Sequence, residues 1–150
     1  MTTAGSAMQW PASPTRFGLA RLAEISGVDL ATVKRWQHRG SLQTWTVGRG
    51  VDRAYELSDA LHAAVVAEMT RLGLGITGPG ADLSQAITAW IEYRIREGDT
   101  LESLPPMALV PDPGGWLIEY DTARATEIGS CIVLSLRRVA EGVAMRYQGN

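Results

Sequence analysis

This chain of 150 residues has a single cysteine, Cys131, and two histidines, His38 and His62. One cysteine forms no internal disulfide, and these three residues are too few for a structural zinc site. No apolar run approaches the length of a membrane span. The opening MTTAGSAMQWPASPT lacks the basic start and apolar centre of a secretory signal. These absences point to a reducing, cytoplasmic setting with no membrane partner. The marks of catalysis are also missing. There is no G-x-x-x-x-G-K-S/T loop, and the glycines of GLGITGPG follow a helical pattern without a lysine. Asp99 and Glu102, a candidate carboxylate pair, lie in a polar stretch, and no Ser-His-Asp or Cys-His set stands out. The chain therefore reads as a non-enzyme, with no cofactor and no metal.

A large basic excess is absent too: the formal charge is −2. Its distribution says more than its total. Through Leu72, eight Lys or Arg face six Asp or Glu; from Gly73 onward, six face ten. A basic reader joined to an acidic second unit fits that asymmetry.

What the chain does have is a sequence of helix signals from Phe17 to Leu74. Leu19, Leu22, Ala23 and Ile25 have helical spacing, which predicts a short helix over Gly18–Ser26. Gly27 stops it, and Asp29 is placed to cap a second helix by accepting from the amide of Ala31 or Thr32. Leu30, Val33 and Trp36 or Gln37 form the inner stripe of that second helix. Lys34, Arg35 and His38 fall on its other faces, Arg39 follows, and Gly40 ends it. Ser41–Tyr55 then alternates around Gly48-Arg49-Gly50, the pattern of a β-hairpin wing with Arg49 at its tip. Ser58 is placed to cap a third helix whose stripe is Leu61, Val65, Met69 and Leu72.

Three separated pieces, Thr32-Val33-Lys34-Arg35-Trp36, Arg39-Gly40-Ser41-Leu42 and Arg53-Ala54-Tyr55 with Leu57-Ser58-Asp59-Ala60-Leu61, resemble the winged helix-turn-helix of MerR-type and excisionase-like proteins. The resemblance covers the first half of the chain. It implies DNA binding, with the second helix in the major groove. The implied contacts are Thr32, Lys34, Arg35, His38, Arg39, Arg49 and Arg53. Trp36 either packs in the core or turns its indole edge to phosphate, and Tyr55 is placed both to pack the wing and to touch the backbone. The family's metal-sensing cysteines are missing. Gly73, Gly75, Gly78, Pro79 and Gly80 interrupt the place of its long pairing helix.

Beyond this half, the expected organisation is an irregular arm at 1–15 docked by Trp10, the reader at 16–75, a Gly/Pro linker at 76–81 and a small α+β unit at 82–150. In that unit Asp82–Glu97 reads as a helix with Asp82 and Gln85 as a capping box, followed by a strand pair around Pro111–Gly115. CIVLSL reads as a strand with Cys131 buried, and Arg137–Tyr147 as a helix contacting the core through Val139, Val143 and Met145. The fold class is thus α+β. The function expected is a sequence-specific transcriptional regulator on double-stranded DNA, dimeric, with the second unit available to a partner copy, the transcription machinery or another protein. A phage packaging protein such as a small terminase subunit, or a helix-turn-helix protein-interaction module, is the alternative.

Overall fold

The computed structural model describes residues 8–11, 15–42 and 54–149. Most of the expected wing, with Arg49, Arg53 and Trp45, lies outside them. The described residues form an α+β fold of six α-helices and one three-stranded antiparallel sheet.

The first two helices, α1 (Leu19–Ser26) and α2 (Leu30–Arg39), are joined by three residues. Gly27 turns the chain at φ +75°, a left-handed conformation open to glycine at low cost. Asp29 stands at the N-cap of α2, but its carboxylate bonds no backbone amide. The Thr32 hydroxyl donates to it instead, at 2.5 Å.

Helix α3 (Leu57–Arg71) begins one residue before Ser58. Its cap is a reciprocal pair in which the Asp59 carboxylate accepts from the Glu56 amide at 2.8 Å. Ser58 is freed to donate to Glu92 on the next helix, at 2.9 Å. Residues 59–66 of α3 are all buried, because α1, α4 and α6 cover it from different sides. A helix enclosed all round is the centre of a core rather than one wall of it. Just before α3, Tyr55 exchanges two backbone hydrogen bonds with Phe17 (3.0 and 2.8 Å), so the starts of α1 and α3 are tied together.

Helix α4 (Pro79–Arg96) takes in the last three residues of the expected linker. Proline suits the first helical position, where no amide hydrogen is needed. Asp82 and Gln85 therefore lie inside the helix and form no capping box. Gly80 is required sterically, since a side chain there would collide with the Gly75 carbonyl.

A 3₁₀ turn (Leu101–Ser103) leads to strands β1 (Met107–Asp112) and β2 (Gly115–Glu119), paired with Leu109 opposite Ile118. Helix α5 (Thr122–Ile128) has no counterpart among the expected elements. It starts on Asp121, whose carboxylate accepts from the amides of Ala123 (3.0 Å) and Arg124 (3.3 Å). Strand β3 (Ile132–Leu134) joins the other edge of β1, giving the order β2-β1-β3. Met107, Leu109 and Leu134 face the main core, while Ala108 and Val110 meet Ala125 of α5 on the opposite face. Cys131 is exposed, contrary to expectation, because the strand starts one residue after it.

Helix α6 (Leu136–Gln148) is capped by the Ser135 hydroxyl. Leu136, Val139, Ala140, Val143 and Ala144 make its buried stripe. Met145 lies off that stripe and is exposed, again unlike the expectation. The helix packs on α1 and α3, so residues from both ends of the chain share one core. Trp10 also rests against it, beside Ile95 and Gly98 at the end of α4. Among the described residues no helix is long and apolar enough to cross a membrane.

Candidate nucleic-acid interface

Helix α2 is a ten-residue element without a single Asp or Glu, LATVKRWQHR. It lies at the edge of the molecule and packs chiefly on α1. Val33 (0% exposed) and Trp36 (6% exposed) anchor its inner side. Lys34, Arg35, His38 and Arg39 are all exposed. Their spacing of one and four residues puts them on one outward stripe, since a helix repeats every 3.6 residues. Among the described residues, no carboxylate pairs with Lys34, Arg35 or Arg39. His38 and Arg39 occupy the last turn, where positive charge also meets the negative end of the helix dipole.

The remaining candidates divide into supports and residues outside the described set. Thr32 is half-buried; its hydroxyl donates to Asp29 and accepts from Arg35 Nη2 at 3.4 Å, which draws the guanidinium along the helix. Trp36 belongs to the core, and its carbonyl accepts from the amides of Ser41 (3.0 Å) and Leu42 (3.3 Å) as the chain leaves α2. Tyr55 is 1% exposed. Its hydroxyl accepts from Gln37 Nε2 at 3.1 Å, bracing α2 from beneath rather than facing solvent. Both rings are buried. The structure thus brings Lys34, Arg35, His38 and Arg39 together and places Thr32, Trp36 and Tyr55 behind them. Arg49 and Arg53 lie outside the described residues.

The brace for this arrangement comes from the far end of the chain. Arg146 of α6 donates through Nε to the Ile25 carbonyl (2.7 Å) and through Nη2 to that of Ser26 (3.1 Å). These are carbonyls that the end of α1 leaves without helical partners. The guanidinium lies against Gly27 and Gly142, and a side chain at Gly27 would reach within 2.9 Å of Cζ. Burial pulls its pKa below the usual arginine value, with no carboxylate acting the other way. No sequence signal marks this contact, which spans 120 residues.

A second feature missed in the sequence is polar and lies between α3 and α4. His62, 5% exposed, meets Ser84 at 2.8 Å (Nε2 to Oγ), and Ser58, Asp59, Thr88 and Glu92 line a neighbouring cleft of about 270 Å³. Ser84 also donates to the Ala81 carbonyl, so this is an interhelical bond within a packed seam. Among the described residues, His, Cys, Asp and Glu form no group of three that would hold a metal.

Chemically, the outward stripe of α2 offers positive charge and hydrogen-bond donors. Arginine forks suit phosphate oxygens and the O6/N7 edge of guanine. No protein-family model matches the chain, and no curated protein matches it.

Proposed function

We propose that this chain is a sequence-specific DNA-binding regulator that lays α2 into the major groove. The observation that carries the reading is the stripe of Lys34, Arg35, His38 and Arg39, exposed, free of carboxylates and held from behind by Val33 and Trp36. Two helices with a three-residue glycine turn between them are a known way to present such a stripe. The resemblance of the sequence to the winged helix-turn-helix supports the same reading and assigns Arg53 to a flanking phosphate, while Arg49, between two glycines at the expected wing tip, is assigned to the DNA backbone or minor groove. One α2 gives a small footprint, so the working form is a dimer on paired half-sites.

Fluorescence anisotropy against a library of genomic duplexes tests this. The full chain binds a subset of duplexes, and affinity falls steeply with added salt as counterions are released. Lys34→Ala plus Arg35→Ala weakens the preferred duplex by at least about tenfold, from roughly 1–3 kcal/mol per specific contact. Equal affinity of wild type and double variant, at low and moderate salt, would rule the reading out.

A further inference from the structure

Helices α3 and α6 and the end of α1 line an open recess of about 280 Å³ that is separate from the outward stripe of α2. Its floor consists of small side chains, Ala64, Ala67, Val139 and Gly142, which let the two long helices approach and leave space above them. Three guanidinium groups surround that space: Arg71, Arg138 and Arg146. The carboxylate among them, Glu68, is taken by Arg71, whose Nε donates to both of its oxygens at 3.1–3.2 Å. That bond holds the Glu68 carboxyl below the usual carboxylate range, with Arg138 adding to the effect and burial opposing it. Arg138 has no ion-pair partner among the described residues. Arg146 is spent on two neutral carbonyls. The recess thus carries three positive charges against one negative.

We propose that this recess is a binding site for a tetrahedral dianion of the phosphate class. Two unmatched guanidiniums balance a doubly charged oxyanion, whereas a carboxylate would leave one positive charge over. The planar fork of Arg138 offers paired donors at the spacing of phosphate oxygens, and Arg146 keeps Nη1, which makes neither of its bonds to the α1 carbonyls. Arg146 is partly desolvated without a counter-charge, which is costly, and an anion offsets that cost; Arg138 is exposed. The volume suits a phosphate group with the rest of its molecule outside. The ligand is a phosphomonoester or free phosphate, since a backbone phosphodiester of DNA carries a single charge and, like a carboxylate, would leave one positive charge over. The proposal stands apart from the reading of α2, because the recess and its ligand involve no residue of that helix.

The test is calorimetric titration of the full chain with inorganic phosphate, against sodium chloride at matched ionic strength and against acetate. Saturable binding of phosphate, tighter than acetate, is expected. Arg138→Gln weakens it about tenfold, the loss of one charge-assisted pair. Arg146→Gln weakens it as well, and Arg137→Gln, which removes the same charge from the adjacent position, leaves it unchanged. Phosphate heats that match chloride, or Arg138→Gln binding like wild type, would overturn the proposal. Duplex binding by Arg138→Gln separates this ligand from DNA: duplex affinity equal to wild type is expected, whereas free phosphate that competes with duplex, together with a loss of duplex affinity in Arg138→Gln, would place a singly charged DNA phosphate here and overturn the dianion.

Discussion

Arg146 closes the end of α1 with two charge-assisted hydrogen bonds, and both acceptors precede the turn that aims α2. Its loss has a defined direction. Arg146→Gln removes the second donor arm and the charge, and a part-exposed interaction of this kind is worth roughly 1–2 kcal/mol. Urea unfolding should show that decrease in midpoint with an unchanged slope, since the buried surface is the same. Glu68 makes a prediction in pH. Its carboxyl titrates lower in the folded chain than in the unfolded one, chiefly through the Arg71 bond. Its contribution is therefore fully present above the ordinary carboxylate range and is lost as pH falls through the lowered folded value. Both partners reach solvent, so it is small, below about 1 kcal/mol. Comparing wild type with Glu68→Gln by urea unfolding at neutral and acid pH should show a gap that closes in acid; a gap independent of pH would contradict it. Glu68 and Arg71 stand three residues apart on the expected third helix, but the Arg146 contact could not be read from the sequence. Arg146 meets α1 only because α6 returns to it, and no local pattern encodes a contact across 120 residues.

Among the elements, α2 was the most legible. Its stop at Gly40, its N-cap position at Asp29 after the Gly27 stop of α1, and its buried Val33 all follow from a 3.6-residue pattern with one wet side. Helix α3 shows the limit of that logic. Periodicity reveals a helix by contrast between faces, and a helix buried all round has none, so nothing in the pattern marked His62, which lies in the seam with α4. Helix α5 was missed because it buries only Ala125 and is held by its Asp121 cap more than by an apolar stripe. The hairpin of β1 and β2 was visible, since Pro113-Gly114 punctuates two apolar runs. Trp36 separates support from contact on α2. With 6% exposure, Trp36→Ala costs roughly 3–5 kcal/mol of stability by leaving a cavity. Lys34→Ala plus Arg35→Ala should leave the thermal midpoint within a few degrees of wild type. Thermal melts followed by circular dichroism distinguish the two; a Trp36→Ala melt like wild type would return the ring to the surface.

At the scale of the molecule, the sequence suggested a reader followed by a linker and a second unit, and the packing gives the two halves a common core. Leu136, Val139, Ala140 and Val143 of α6 are buried with Leu22, Ile25, Leu61 and Val65 of α1 and α3. Composition shifted at the glycine-rich stretch after Leu72, but composition reports flexibility of a connection, not which surfaces later meet. A fragment of residues 1–75 exposes the faces of α1 and α3 that α6 covers. It should lack a cooperative thermal transition, whereas the full chain melts in one step; a fragment with its own sharp melt would show that the reader folds alone. The Arg146 brace adds a consequence in time. Translation delivers α2 early, but the arginine that secures the turn before it emerges 120 residues after Ser26. At about 5–20 residues per second, the newborn helix spends on the order of ten seconds without its clamp. A polypeptide still on the ribosome would therefore carry its basic stripe in an unfixed orientation, and the aim of α2 would be set only as synthesis passes α6.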